Sequence, residues 1–264
     1  RKSVRKSIRL HDHTREEIAE LAGRGCAVVV PLAATEQHGP HLPVYTDALI
    51  LEHIAEEAAE RAAREARLLV APVLPVGCSQ HHLAYGGTLS FSSETYLRVL
   101  ADIGESLVTD GFRKIIFLNG HGGNDALMTQ TASDLAVKHP VWTASASYWS
   151  IAGGALREAG AGALGLVPGH AGAFETALIL ALRPELVRAD RIKAEHRRRE
   201  WILSGPPGAF IGKHGELTGH DGYTDAAAAA TAELGRRYLG IIVDRVADWL
   251  VRTVQTMERG EREP

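Results

Sequence analysis

Short apolar runs alternate with amphipathic stretches along the chain, and this alternation predicts its secondary structure. Four apolar runs predict buried strands over residues 26–33, 68–77, 113–120 and 141–149. Between and after them, apolar residues recur every three or four positions, which is the spacing of one helix face. The predicted helices span residues 14–21, 47–67, 92–111, 121–139, 170–183 and 224–254.

Capping residues set the expected ends of several helices. Thr14 and Glu17 match a capping box at the start of the first helix. The closing helix is expected to be capped at Thr224 or Asp225, and Gly240 is a candidate point of interruption.

Alternating strands and helices favour an α/β fold, a three-layer α/β/α sandwich with a mostly parallel central sheet. The chain shows no internal repeat and no linker-like segment, so residues 1–264 are predicted to form a single domain. In open parallel sheets, ligands bind beyond the carboxyl ends of the strands. Residues 34–41, 77–82 and 119–124 follow three of the predicted strands, and all three segments carry polar side chains that can bind metal.

Composition narrows the class of protein. The chain has 264 residues, 29 basic and 32 acidic, so its formal charge is −3 and no attraction to nucleic acid or an anionic membrane surface is expected. No apolar segment approaches the roughly 18 residues of a membrane span, and the basic cluster over residues 1–9 lacks the apolar run of a signal peptide. Cys26 and Cys78 follow no metal-site or disulfide-framework spacing. A cytoplasmic protein is therefore predicted.

The loop after the first predicted strand carries the strongest candidate chemistry. Glu36 and His38 are two residues apart, so in an extended segment both project to the same side. Asp47 lies at the start of the next helix, close to the same loop. The alternative is that Asp47 is a helix-start acid favoured by the macrodipole and that His38 is a solvated loop residue. His41 is a weaker candidate that could contact a substrate or support the ligands.

A second candidate is the segment after the third predicted strand, "NGHGGN". His121 comes directly after the strand, where it could join a metal held by the first loop. Gly122 and Gly123 would let a substrate approach the backbone closely. A phosphate site at the helix N-terminus is the alternative, but the spacing matches neither a P-loop nor a dinucleotide-binding fingerprint.

Two further segments contribute titratable side chains. His170 and Glu175 straddle a loop and the start of an apolar helix, where Glu175 is either an inward acid that needs a partner or a helix-start acid. Of the adjacent His81 and His82, at most one is expected to face the cleft. Together, these acids and histidines have the composition of a dinuclear site for Zn²⁺, Mn²⁺ or Fe²⁺.

The segments "PLAATEQHGPHLPVYTDA", "FLNGHGGN" and "HAGAFETALILALRPELV" together resemble the creatininase (creatinine amidohydrolase) family. The resemblance covers roughly residues 8 to 255. It implies an amidohydrolase with two divalent metal ions per subunit, zinc foremost, that uses a metal-bound hydroxide to attack a carbonyl. The bond cleaved would be a C–N bond of a small molecule other than a peptide bond, in an amide, a cyclic amide or a formamide. It also implies a homo-oligomer, a hexamer built as a trimer of dimers.

The resemblance also implies roles for individual residues. Glu36 and His38 would bind different metals, Asp47 would bridge them, and His121 would join the metal of Glu36. In creatininase proper the remaining ligand is a glutamate, which stands two residues after the position of His121. The chain has Gly123 there, so Glu175 is expected to take over this role, and creatinine itself is a less secure substrate. His170 is the expected proton shuttle, with Glu175 also placed among the catalytic residues. Substrate contacts are expected from His41, His82, Tyr85, Gly122, Gly123 and Trp149.

Other functions remain open. The family also resembles enzymes that remove a formyl group from a pyrimidine precursor, a peptidase of redox-peptide maturation, and a hydrolase that cleaves a C–C bond in a cyclic keto-polyol. A non-catalytic binding protein could keep the same fold with structural acids and histidines. A flavodoxin-like nucleotide-binding module could use "NGHGGN".

Overall fold

Four parallel strands form the centre of the structure, a computed structural model that describes residues 7–197 and 206–263. The strands are β1 (Ala27–Leu32), β2 (Leu68–Val70), β3 (Lys114–Asn119) and β4 (Trp142–Ser147). They pair in the order β2-β1-β3-β4, and every pairing is parallel. Residues 1–6 of the basic N-terminal cluster lie outside the described residues.

Helices follow each strand. They are α1 (Arg15–Gly23), α2 (Thr46–Ala62), α3 (Ser93–Thr109), α4 (Asp125–Lys138), α5 (Tyr148–Ile151), α6 (Gly153–Glu158), α7 (Ala161–Leu164), α8 (Ala173–Leu182) and α9 (Ala232–Gly260). Short 3-10 helices span Leu10–Asp12, Gln80–Tyr85, Gly122–Asn124, Pro184–Leu186 and Ala189–Arg191. The capping box predicted for α1 is present, with Thr14 and Glu17 satisfying each other's backbone N–H groups.

The sheet separates two hydrophobic cores. Successive side chains of a strand point to opposite faces, so Ala27 and Val29 enter one core while Val28 and Val30 enter the other. Helices α2, α8 and α9 pack together over the first face, and α3 packs with α4 over the second. The predicted α/β/α sandwich is therefore confirmed.

The sheet has a topological switch point between β1 and β3. From β1 the chain goes to β2 on one side, and it later returns to β3 on the other side of β1. Connections that leave adjacent strands in opposite directions open a crevice beyond their carboxyl ends. The loops after β1 and β3, which carry Glu36, His38 and His121, lie at this crevice.

Two elements differ from the predictions. The predicted strand 68–77 pairs as regular strand only over Leu68–Val70, because Pro72 and Pro75 lack the N–H needed to extend the ladder. The closing helix begins at Ala232, with Thr231 as its cap, rather than at Thr224 or Asp225.

Those two residues are engaged elsewhere in the structure. The Thr224 hydroxyl accepts the His170 N–H at 2.8 Å, and the Asp225 carboxylate accepts the Leu166 N–H at 3.3 Å. Both side chains therefore hold the loop before α8. Helix α9 also runs through Gly240 without the interruption considered from the sequence. Among the described residues, none of the helices is long and apolar enough to cross a membrane.

Candidate metal centre

Five buried acids and histidines converge at the crevice between β1 and β3. They are Glu36 and His38 from the loop after β1, Asp47 from the first turn of α2, His121 from the loop after β3 and Glu175 from the first turn of α8. None is more than 4% exposed. Four separate segments of the sequence therefore supply one cluster.

Asp47 lies at the middle of this cluster. Its Oδ1 is 3.0 Å from His38 Nε2, and its Oδ2 is 3.2 Å from His121 Nδ1. Glu36 Oε1 lies 3.1 Å from the same His121 nitrogen, and Glu175 Oε2 lies 3.5 Å from His38 Nε2. The two oxygens of Asp47 thus face two groups of candidate metal ligands, called the ligand groups below, one with Glu36 and His121 and the other with His38 and Glu175.

Several polar atoms in the cluster lack hydrogen bonds. Within the described chain, both Glu36 oxygens, His38 Nε2 and Asp47 Oδ2 are buried and have no hydrogen-bond partner. Unpaired buried carboxylate oxygens are costly, and a bound cation removes that cost. Ligand atoms of Glu36, Asp47 and His121 lie within 4.8 Å of one another, as do those of His38, His170 and Glu175. Mixed imidazole and carboxylate ligands suit Zn²⁺, Mn²⁺ or Fe²⁺, so the residues fit a divalent metal.

Backbone carbonyl groups orient three of the histidines. His38 Nδ1 lies 3.1 Å from the Glu36 carbonyl oxygen, and His121 Nε2 lies 2.9 Å from that of Cys78. His170 Nε2 lies 2.8 Å from the Gln37 carbonyl oxygen. A carbonyl only accepts, so each of these nitrogens carries a proton and donates it. The other ring nitrogen faces the acids, where it can offer its lone pair to a metal ion, as metal-binding histidines usually do.

The electrostatics reflect how tightly these charges are packed. Burial raises the pKa of Glu36 and of Glu175. Burial acts to lower the pKa of His38 and of His121. Asp47 and Glu175 outweigh it at His38, and Glu36 and Asp47 outweigh it at His121, so both pKa values lie well above the usual range. The same histidines outweigh burial at Asp47 and keep its pKa well below the ordinary value. Without a metal, the imidazoles therefore hold protons that partly neutralise the acids.

This arrangement predicts that the metal-free protein loses stability as pH rises above about 6.5. Above that pH, unfolded histidines are deprotonated, whereas His38 and His121 keep their protons in the folded state because their folded pKa values are raised. The folded state then binds more protons, so the free energy of unfolding falls, by up to about 1.4 kcal/mol per pH unit for each proton.

Urea unfolding of the metal-free protein between about pH 6.5 and 8 measures this slope. His38→Gln should reduce the slope, because it removes one of the two groups. Metal loading should abolish the decline, because the bound imidazoles are already neutral. A flat or rising stability in the metal-free wild type contradicts the prediction.

The carboxylate that faces His38 belongs to Glu175, and no side chain fits at Gly123. A Cβ at Gly123 would lie 2.1 Å from the Cys78 carbonyl oxygen and 2.5 Å from His121 Nε2. Glu175 instead enters from α8, where its Oε2 accepts the Ala171 N–H at 2.6 Å and faces His38. The local backbone therefore excludes a glutamate at position 123.

A cavity of about 660 Å³ opens beside the cluster. Four of the residues expected to contact substrate line it, namely His82, Gly122, Gly123 and Trp149. His170 and His121 also line it, so the cavity reaches the candidate metal ligands. Trp149, Leu166, Val167, Pro168, Phe210 and Leu217 form an apolar wall.

Two residues expected to contact substrate lie elsewhere. His41 is buried behind the cluster, where its Nε2 lies 2.9 Å from the Ala171 carbonyl oxygen and its ring packs edge-on against Tyr223. It supports the loop that carries His170. Tyr85 ends the 3-10 helix before Gly86 and is 44% exposed, outside the residues that line this cavity.

Other site residues were missed or misjudged from the sequence. Both His81 and His82 line the cavity, so the expectation that at most one would do so is wrong. Their position in a 3-10 helix brings the two rings to 4.2 Å between centroids, at 43°. Gln37, which stands between Glu36 and His38 in the sequence, is a further site residue that no sequence pattern predicted. Its amide is buried and contacts His82 and the Gly222 carbonyl oxygen.

Comparisons with known proteins agree with this geometry. Residues 11–250 match the family model described as creatininase, creatinine amidohydrolase. The mycofactocin precursor peptide peptidase of Mycobacterium tuberculosis is 31% identical over 244 residues, which cover 88% of this chain and 89% of that protein. The creatinine amidohydrolase of Pseudomonas putida is 29% identical over 253 residues, which cover 89% of this chain and 92% of that protein. A solved creatininase described with manganese is 28% identical and has a TM-score of 0.77, covering 94% of this chain and 99% of its own.

Proposed function

The chain belongs to the creatininase family, and from that premise we propose that it is a divalent-metal-dependent amidohydrolase that cleaves a C–N bond beside a carbonyl. The observation that carries the proposal is the pair of ligand groups that share Asp47, with buried carboxylate oxygens that accept no hydrogen bond in the described chain. Such a pair suits two ions bridged by one carboxylate. Zinc is the first candidate, and manganese, which accompanies a solved relative, is the second.

Five side chains of the cluster would hold the two metal ions. When bound, a pair of divalent ions polarises a carbonyl oxygen and lowers the pKa of a water molecule. Glu36 and His121 would hold one ion, His38 and Glu175 the other, and Asp47 both. The glycines at 122 and 123 leave the cavity floor open to a substrate beside His121.

His170 is placed to move a proton. Its Nε2 is committed to the Gln37 carbonyl oxygen, so its Nδ1 carries the lone pair and lies 3.6 Å from Glu36 Oε1. Burial lowers the pKa of His170 well below the usual range, with the neighbouring His38 and His82 adding to the effect. The neutral ring can accept a proton at Nδ1 from the attacking water and return it to the leaving nitrogen.

The cavity favours a substrate with an apolar portion. Its volume of about 660 Å³ falls in the range of drug-sized ligand sites, and Trp149, Phe210 and Leu217 supply much of the apolar wall. A cyclic keto-polyol would find few hydrogen-bond partners on that wall. A peptide C–N bond is therefore the second candidate target, alongside a non-peptide amide, and the identity to a peptide peptidase favours it.

A substrate panel tests the proposed function. The chelated protein, reloaded with zinc or manganese, is assayed against cyclic amides, N-formyl compounds, short peptides with apolar side chains and cyclic keto-polyols. We expect turnover of an amide or peptide that chelation abolishes and metal restores. Full metal occupancy without turnover in any class favours a binding protein, and turnover only of keto-polyols moves the reaction to a C–C bond.

His170→Ala should lose turnover by about 10²–10⁴-fold, the usual contribution of a positioned acid–base group, while keeping the metal content of the wild type. Metal analysis and kcat on the substrate found by the panel check this together. His214→Ala, which removes an exposed histidine, is the matched control and should leave both unchanged. Loss of metal in His170→Ala would instead make His170 a ligand.

A further inference from the structure

His82 differs from the other histidines around the acids in the direction of its hydrogen bond. His38, His121 and His170 each face a backbone carbonyl oxygen with one nitrogen, and so each donates there. His82 has no such contact among the described residues. Its Nδ1 lies 2.8 Å from the side-chain Nε2 of Gln37, which is a donor.

Two backbone groups fix the orientation of the Gln37 amide. Gln37 Oε1 accepts the Gly39 N–H at 2.9 Å, and Nε2 donates to the Gly222 carbonyl oxygen at 2.7 Å. Exchanging the amide oxygen and nitrogen would set donor against donor at Gly39 and acceptor against acceptor at Gly222. The second hydrogen of the Gln37 amide therefore goes to His82 Nδ1. Nearby His170 Nε2, at 3.3 Å, cannot take it, because that nitrogen donates to the Gln37 carbonyl oxygen.

This contact sets the tautomer of His82. A neutral imidazole has one acceptor nitrogen, and in His82 it is Nδ1, so Nε2 carries the proton. Nε2 faces the cluster, 3.5 Å from Glu36 Oε1, in a side chain that also lines the cavity. An imidazole binds a metal ion through a lone pair of its neutral form, and neutral His82, unlike neutral His38 and His121, has no lone pair on the nitrogen that faces the cluster. Although Glu36, His82 and His170 have ligand atoms within 4.8 Å of one another, this group is not a metal site.

We propose that His82 Nε2–H is the hydrogen-bond donor to the substrate's carbonyl oxygen, and that Gln37 is the positioning residue that fixes this polarity. The proposal rests on the proposed amidohydrolase function. A preorganised donor aimed at the oxygen where charge develops is a strong source of rate enhancement.

The placement of His82 beside His170 supports this division of roles. Their rings stack with centroids 4.1 Å apart, at 25°. His82 Nε2 and His170 Nδ1 lie 3.5 and 3.6 Å from the same Glu36 oxygen, so both point to one place. His82 Nε2 donates, which matches the carbonyl oxygen of an amide group. The neighbouring His170 Nδ1 accepts, which matches the leaving nitrogen of the same group.

Gly222 shows how closely the Gln37 amide is held. Its φ is +79°, and a Cβ there would lie 2.5 Å from Gln37 Oε1. The loop that carries Gly222 also supplies Leu217 and Thr218 to the cavity lining. A single side chain thus joins that loop to His82.

Nitrogen-15 NMR of the solid, histidine-labelled, metal-free protein tests the tautomer directly. We expect the His82 signals, assigned by their loss in His82→Gln, to show a protonated Nε2 and an unprotonated Nδ1. Gln37→Glu replaces the donor by an acceptor and should reverse the tautomer. Gln37→Met, which removes the donor without adding charge, should give a mixture. A wild-type His82 protonated on Nδ1 overturns the proposal.

Zinc content and binding of acetohydroxamate, a small carbonyl-bearing metal ligand, test the role. His82→Leu should keep the zinc content of the wild type and bind acetohydroxamate about tenfold more weakly, because one donor is lost. His82→Gln keeps an N–H near the position of Nε2 and should bind within about threefold of the wild type. Loss of zinc in His82→Leu, or equal affinity in His82→Leu and the wild type, overturns the proposal.

The two tests separate this proposal from the proposed function. If the wild type binds no zinc, the metal-dependent function fails, whatever the His82 tautomer is. If zinc binds normally but the tautomer is reversed, only the role of His82 and Gln37 fails.

Discussion

Asp47→Asn should remove nearly all bound divalent metal and all metal-dependent turnover. Each oxygen of Asp47 faces a different ligand group, so no other residue of the cluster serves both. Asparagine keeps the size of the side chain but lacks the negative charge and replaces one oxygen by an amide that donates. Because Asp47 is 3% exposed, water cannot readily replace the missing ligand. We expect metal content to fall from about two ions per chain to near zero.

Metal analysis after reloading and desalting measures this effect, together with the circular dichroism spectrum. Asp102→Asn is the matched control, since Asp102 is an exposed acid on α3. It should bind metal as the wild type does. The folded Asp47→Asn protein should keep its secondary structure, because the substitution removes one of three clustered carboxylate charges. A variant that keeps full metal content and turnover would contradict the bridging role.

Glu175→Gln should lose one of the two metal ions and keep the other. Glu175 Oε2 lies 3.5 Å from His38 Nε2, and these two residues form one ligand group. Glu36 and His121 belong to the other group. The amide oxygen of the new glutamine could still accept the Ala171 N–H, so the start of α8 should persist. We therefore expect about one ion per chain and a loss of turnover of at least about 10²-fold.

Comparing Glu175→Gln with Glu36→Gln strengthens this test. Each should retain about one ion, but at different positions, so X-ray absorption should find different ligand environments. Gly123→Glu in the Glu175→Gln background should not restore the second ion, because a Cβ at position 123 would lie 2.1 Å from a backbone oxygen. Full metal content in Glu175→Gln would contradict the assignment of Glu175 as a ligand.

Local patterns in the sequence predicted the half of the cluster that lies near β1. The spacing of Glu36 and His38 placed both on one side of an extended loop, and both lie in the cluster. The continuous apolar run before them predicted a buried strand, which is β1. His121 was identified because it follows a strand directly, and parallel strands end at the same sheet edge.

Tertiary contacts determine the positions of the other residues in and around the cluster. Glu175 enters the site because α8 packs against α2 and α9, which no local pattern specifies. Gln37 looked like an ordinary polar loop residue, but the Gly222 carbonyl oxygen, 185 positions away, fixes its amide. Likewise, the sequence around Asp225 is typical of a helix cap, but in the structure its carboxylate accepts the Leu166 N–H instead. A glutamine between two proposed ligands was the signal that sequence analysis could have used.

Anomalous diffraction at the zinc absorption edge, from crystals of the zinc-loaded protein, tests the central claim most directly. We expect two peaks about 3.5–4 Å apart on either side of the Asp47 carboxylate, one next to Glu36 and His121 and the other next to His38 and Glu175. His82 should lie near neither peak as a ligand. A single peak, no peak at Asp47, or a peak bound by His82 Nε2 would contradict the proposed centre.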